Sequence, residues 1–486
     1  MPLAPPEPIN TLTVVQPYLR LGDPHACSDD RHRLSLLHAL YEPLVKRAGN
    51  GHFSGALAHT WQSEDARRWE FQLRPGVRFH DGQLLTADDV VASLTRVRDE
   101  TIAGELGTTG IYQGYLQGCH LEAKDAHTVT LMLPAPMADL LDVLVELFIL
   151  PAHALPDLPQ LPPGTGPFKL MQQQPASEML DEVIMEVHDA YWQGMPTVKN
   201  VVWQAVADAE VRLERLTTAQ ADIASDVHPI PETLTRHTRP SSVTTTFMFN
   251  LVSGKVADIH LRRALNYATD TRAIVETLFQ GNAHVMASPC TPPQLGYDPK
   301  LEPYPHDPQR AQQLLEASHI TNPTLTFDIP SRLPDEARQV ATLLQAQWHA
   351  VGLTLEVIEH QDRPQYATSV REKNIHDAAC FDSSPHSTFR LFHEKFRSDT
   401  PGVWWLGYDN ATFNGMLAEA QTTTDISQRQ QLYRQAARLL RDDPPWLYLY
   451  SSQLAWATQP QLQGWQPSVD GLITFTPDGF ARRERA

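Results

Sequence analysis

Apolar and polar residues alternate over Trp69-Glu70-Phe71-Gln72-Leu73 and again over Thr128-Val129-Thr130-Leu131-Met132-Leu133. That period of two predicts half-buried strands. Thr11–Gln16 predicts a first, buried strand, and Val77–Phe79 a short one after the Arg74-Pro75-Gly76 turn. Helical spacing predicts helices over Arg33–Leu40, Glu210–Thr217, Leu261–Phe279, Gln309–Leu315, Glu336–Val351 and Ser427–Arg441. In Glu336–Val351, the residues Val340, Leu343, Leu344, Trp348 and Val351 share one face, and Gly352 supplies the C-cap. Thr86 reads as an N-cap with Asp88 and Asp89 in the first helical turn. Further strands are expected at Asn200–Gln204, Thr244–Asn250, Leu325–Ile329, Leu353–Ile358 and Tyr448–Trp456. Strand and helix alternate through the second half of the chain, which predicts an α/β lobe.

Length and charge bound this picture. A chain of 486 residues exceeds one compact core and calls for two or three domains. A net charge of −18 opposes a nucleic-acid partner, whose phosphates would be repelled. No run of eighteen apolar residues is long enough to span a bilayer. The most apolar stretch, Leu140–Leu150, carries Asp142 and Glu146 and reads as a core element. Met1-Pro2-Leu3-Ala4-Pro5-Pro6 has neither a basic start nor an apolar core, so it does not read as a signal peptide. Cys27, Cys119, Cys290 and Cys380 are scattered without a CxxC spacing. Buried free thiols are expected, with one disulfide as the alternative.

Catalytic signatures are missing. GxSxG, HExxH and SxxK do not occur. The twenty-one histidines are dispersed. His25, His32 and His38 do not share a helical face, and His376, His386 and His393 fall in a loop-rich stretch. Asp29-Asp30 and Asp88-Asp89 are adjacent pairs, which on a helix do not face one another, and they read as caps. No enzyme, cofactor or resident metal is therefore expected. Gly164-Thr165-Gly166-Pro167-Phe168 fits neither GxGxxG nor a P-loop and reads as a tight turn entering a strand.

The stretch Tyr41–Val91 carries a resemblance. Its pattern, YEPLV, then LA..W, W.F.LR.GV.FHDG and TA.DVV, resembles the signature region of the family 5 solute-binding proteins, the extracytoplasmic receptors of ABC importers for peptides, nickel chelates and related solutes. GTGPF, Tyr191-Trp192-Gln193-Gly194-Met195-Pro196 and Leu261-Arg262-Arg263-Ala264-Leu265-Asn266-Tyr267-Ala268-Thr269-Asp270 are similar to further family segments. The resemblance runs from about Thr11 to Thr476. It implies a two-lobed periplasmic-binding-protein-like α/β fold of class II type. Lobe I would comprise residues 1–245 and 458–486, with a subdomain inserted at about 46–163, and lobe II residues 246–457. It further implies a monomer that encloses a small solute between the lobes by hinge closure and hands it to ABC permease subunits, in the periplasm or at the cell surface. The solute would be a dipeptide, an opine-like amino-acid conjugate or a metal chelate. A cytoplasmic sensing module on the same scaffold is the alternative, its support being the missing signal peptide.

The expected contacts come from where aromatic and charged residues meet. In peptide receptors of the family a W..D pattern supplies an acid for the peptide amino terminus. Here the Trp is missing, and Phe381, Asp382, Ser383 and Ser384 stand near its place. Asp382 is expected to anchor a cation and Ser383 to line a polar wall, with an Asx turn before Pro385 as the alternative. Arg390 is expected to clamp a carboxylate or to pair locally. Trp404, Trp405 and Tyr408 form the densest aromatic cluster, and Asn250 ends the strand at the lobe boundary. From lobe I, Tyr18, His25 and Tyr112 are the candidates.

Overall fold

The computed structural model describes residues 9–26, 29–49, 51–99, 101–102, 111–157, 161–171, 179–252, 255–320, 324–475 and 481–482. The chain forms two compact units, one of Met1–Glu105, Thr109–Arg239 and Leu454–Ala486, the other of Leu106–Thr108 and Pro240–Gln453. It passes between them inside two long strands, Thr235–Phe249 and Trp446–Thr458. The expected boundaries, after residues 245 and 457, fall in those same strands.

The first unit is built around Ile9–Gln16. This strand pairs in parallel with Val198–Ala205 on one side and with Ile223–Ser225 on the other. Its apolar residues Leu12, Val14 and Val15 are fully buried, as a strand covered on both faces requires. The end of Trp446–Thr458 closes the far side antiparallel, Trp456 lying opposite Ser225. A separate antiparallel sheet in the order Ala58–Ser63, Arg68–Leu73, Thr128–Met132, His120–Asp125 carries part of residues 46–163. Trp203, Trp456, Trp465 and Phe475 fill the main core of the unit.

The second unit has the strand order Thr354–His360, Thr324–Pro330, Ala378–Ser383, Thr235–Phe249, Trp446–Thr458. The first three strands run parallel, and the pairing with Thr235–Phe249 is antiparallel. Phe247, Phe327 and Trp348 form its core, Phe327 meeting Trp348 edge-on at 5.4 Å.

Two expected elements differ. The single helix over Leu261–Phe279 is two helices, Ile259–Ala268 and Thr271–Phe279. The chain turns extended at Thr269, whose hydroxyl accepts the buried indole N–H of Trp348 at 3.0 Å, and Asp270 caps the next helix by accepting from the Ala273 N–H. Val77–Phe79 forms no strand. Arg78 makes an isolated bridge to Leu84 in a tight reversal, with Gly76 and Gly82 both at positive φ.

The FHDG and GTGPF segments are clamped together. His80 donates its backbone N–H to Gly164 O, and its ring Nδ1 accepts from the Gly164 N–H while Nε2 donates to Gly166 O. His188 Nδ1 also reaches Gly166 O, at 3.2 Å, and its ring meets that of His80 edge-on. Gly164 is pressed against Leu40: a Cβ there would lie 1.9 Å from the Leu40 carbonyl oxygen.

Candidate functional site

In the second unit Asp382 and Ser383 stand at one end of the strand Ala378–Ser383, whereas Asn250 lies beside its other end. Asp382 lies opposite Thr245 and Ser383 opposite Thr244. Asp382 is already paired: Arg363 Nη2 reaches its Oδ1 at 3.2 Å. Arg363 opens the helix Arg363–Arg371, donates from Nε to Leu333 O, and lays its guanidinium 4.4 Å over the Phe381 ring. Tyr366, Phe381 and Trp404 follow one another as a ring ladder, at 6.2 Å and 5.0 Å, and Lys395 Nζ lies 5.4 Å from the Trp404 ring. Glu336 stands nearby, accepting from the Thr245 hydroxyl at 3.2 Å and the Tyr450 hydroxyl at 2.8 Å. Arg363 is almost fully buried, yet its Nη1 has no hydrogen-bond partner, and neither does the buried Ser383 hydroxyl. Such orphaned polar atoms are costly inside a protein, by about 1–3 kcal/mol each, unless something completes them.

The other second-unit candidates are held by the protein itself. Arg390 is buried in the first turn of the helix Thr388–Lys395, and its Nε pairs with Glu394 at 3.1 Å. Asn250 donates its side-chain amide to Ile375 O and His376 O, tying down the strand end. Tyr408 packs edge-on against Phe396 and Phe413, and burial raises its hydroxyl pKa. Trp405 is half-buried and donates its indole N–H to Tyr408 O at 2.7 Å. Gly407, at φ +96°, lets this loop pass against the Leu251–Val252 backbone, where a Cβ would meet Val252 N at 2.5 Å.

In the first unit His25 is a buried, neutral relay. Arg96 Nη1 donates to its Nδ1 at 2.9 Å, so its Nε2 carries the proton that bonds Phe148 O. Burial, with the Arg96 charge, lowers its pKa to about 4. Arg96 also grips Asp23 through both carboxylate oxygens. Tyr18 donates to Asp30 and meets His32 edge-on at 4.9 Å. Tyr112 is buried.

Two groups escaped the sequence reading. Arg363 carries no signal in the sequence, because nothing in its neighbourhood announces a partner nineteen residues on. Asp226 receives Arg31 at 2.8 Å and His32 at 2.5 Å. Burial opposes its ionisation, but Arg31 and His32 prevail and hold its carboxyl well below the usual range. Its positive φ of +53° was a possible signal only with the backbone in hand. Cys119, Cys290 and Cys380 are free, buried thiols, and Cys27 lies outside the described residues.

No helix among the described residues is long and apolar enough to cross a membrane. The model of the bacterial extracellular solute-binding proteins, family 5 Middle, matches residues 52–386. A glutathione-binding protein, GsiB, of Pectobacterium atrosepticum is 26% identical over 448 residues, covering 85% of this chain and 83% of that protein. A dipeptide-binding protein of Escherichia coli K12 is 26% identical over 469 residues, covering 88% and 86%. Among solved structures, HbpA2 of Haemophilus parasuis superposes with a TM-score of 0.80 at 22% identity, over 98% of this chain and all of that one. The family is one of binding proteins, and the match spans more than half of the sequence: the chain belongs to the bacterial extracellular solute-binding proteins of family 5.

Proposed function

We propose that this protein captures a small solute between its two lobes by hinge closure and delivers it to the permease of an ABC importer, acting as a monomer outside the cytoplasmic membrane. The solute class is a dipeptide, an amino-acid conjugate of opine type or a metal chelate. The observation that carries the solute-binding reading is the family match over residues 52–386. Relatives named for glutathione and dipeptides, each aligned over most of this chain, support a small peptide-like solute.

Asp382, Ser383 and Trp405 are the second-unit residues we assign to solute contact. Trp404 backs them through the ring ladder. The Arg363 guanidinium tempers the Asp382 charge, so this wall offers a hydrogen-bonding ion pair rather than a bare carboxylate. A ligand bearing both a cationic and an anionic group suits such a pair better than one with an ammonium alone.

Native mass spectrometry of the purified protein is the direct test, with a retained zwitterionic solute expected. A melting-temperature screen of dipeptides, glutathione, opine-type conjugates and nickel–histidine chelates complements it. A solute at a hundred times its dissociation constant stabilises by about 2.7 kcal/mol, which shifts a melting curve visibly. If no member of any class moved the melting temperature, the proposed solute range would be wrong.

A further inference from the structure

The second unit has a cationic pocket that none of the proposed solute-contact residues line. It holds about 150 Å³ and lies among Arg263, Tyr267, Tyr304, Arg310 and Arg441, with Leu314 as an apolar wall. Three helices supply most of it: Ile259–Ala268, Pro308–Ala317 and Ile426–Asp442.

Each arginine is oriented through its inner atoms or one edge. Arg263 Nε donates to Asp442 O at 2.7 Å, and Arg441 Nε donates to Glu302 O at 3.2 Å. The Arg441 guanidinium lies 4.2 Å over the Tyr304 ring, and the Tyr304 hydroxyl donates back to Arg441 O. Tyr267 meets Tyr304 edge-on at 4.9 Å, which fixes the aromatic floor under the cation. Arg310 Nη1 donates to Gln313. Carbonyl oxygens thus spend the Nε donors of Arg263 and Arg441, whose outer nitrogens remain for a ligand, and Arg310 keeps Nη2 beside the Nη1 that bonds Gln313.

The charge is unbalanced. Asp442 is the one acid lining the pocket; its side chain is 71% exposed, and its Oδ1 stands 3.7 Å from Arg441 Nη1. Among the lining residues three guanidiniums thus stand against one solvated carboxylate, with Asp307 engaged as the cap of Pro308–Ala317, in a chain whose net charge is −18. Like charges held together cost free energy unless an anion joins them. We propose that this pocket is a binding site for a compact polyvalent oxyanion, a phosphate or a di- or tricarboxylate group. Its volume is about five times a water's share of the liquid, room for one such group. Guanidinium forks suit the paired oxygens of either anion.

The test is calorimetric titration of the intact protein at low ionic strength with inorganic phosphate in one arm and citrate in the other. One site per chain is expected for at least one of the two. Arg263→Gln should weaken it at least tenfold, and Arg263→Gln with Arg310→Gln should abolish it within the accessible range. These two arginines do not stack on Tyr304, so their loss leaves the aromatic floor intact, and circular dichroism checks the fold of each variant. Saturable binding by either anion that is lost in the double variant supports the site, and the responding arm identifies the anion class. No saturable heat with either anion, or equal affinity in the double variant, overturns it.

Discussion

Arg363 is a cation held at 4% exposure, with a ring below it and a carboxylate beside it. Asp382 is the more exposed partner, its side chain 29% accessible, so solvent screens part of the pair. Asp382→Asn should cost about 1–2 kcal/mol, because it leaves a buried guanidinium without its counter-charge. Arg363→Met keeps part of the apolar packing over Phe381 and frees Asp382 to water, and it should cost a similar amount. Urea midpoints of the two variants and their double give the coupling; a value near zero would show that the pair is incidental to stability. The same Asp382→Asn variant should weaken the retained solute while Arg390→Gln leaves the affinity nearly unchanged, since Arg390 is committed to Glu394. Asp382 and the aromatic cluster were legible in the chain because acids, turns and tryptophans stand out. Arg363, Glu336 and Asp226 were not, because their roles depend on partners brought near by sheet register rather than by spacing.

Among elements, the clamp between FHDG and GTGPF is the most constrained. Gly164→Ala drives a methyl group into the Leu40 carbonyl and the Tyr41 ring, and at least ~3 kcal/mol of destabilisation is expected. Gly76→Ala is the contrast. Its φ is +79° but its Cβ direction is empty, so about 1–2 kcal/mol is expected, the cost of a left-handed non-glycine residue alone. Thermal melts should separate the two clearly. The clamp is also acid-sensitive. Burial, then the neighbouring His188, lowers the His80 pKa from 6.5 to about 3. The unfolded chain therefore takes up a proton first as pH falls. The stabilising effect of neutral His80 is complete above about pH 6.5 and is lost progressively down to about pH 3. At pH 5 the loss is of order 2 kcal/mol for this one imidazole. His38 is half-buried, and desolvation lowers its pKa to about 3, so it acts in the same direction. Equilibrium unfolding at pH 7 and pH 5 should show it, and His80→Gln should flatten the difference. The motifs themselves were readable as turns, and their contact was not, since the bond from His80 to Gly164 joins segments more than eighty residues apart. Strands and helices with clear periodicity lie where the pattern puts them. Thr269 broke the expected long helix because Trp348 needed its hydroxyl, a tertiary demand that local propensity does not contain.

At the scale of the whole molecule, the units differ in how the chain builds them. Among the described residues the second is one continuous stretch from Pro240 to Gln453, whereas the first joins residues from both ends of the chain. Trp456, Trp465, Ile473 and Phe475 all belong to the first unit's core. A chain ending at Gln453 should therefore lose the first unit selectively. Limited proteolysis of that truncation should leave a protected fragment close to 240–453, and equal degradation of both parts would contradict the assignment. The two crossing strands are also where hinge motion of the proposed kind would concentrate, and deuterium exchange at residues 237–243 and 451–456 should slow when the solute is present.

The return of Trp446–Thr458 to Ile223–Ser225 has a consequence in time. A ribosome adding about 5–20 residues per second needs roughly 10–50 s to travel from Ser225 to its sheet neighbour Trp456. Throughout that interval the early half of the polypeptide lacks the strand that seals it, while the middle portion is itself still being made and gains its own last strand, Trp446–Thr458, only at the end. Completion waits for the tail. A nascent chain so ordered stays open at its leading end until synthesis is almost over.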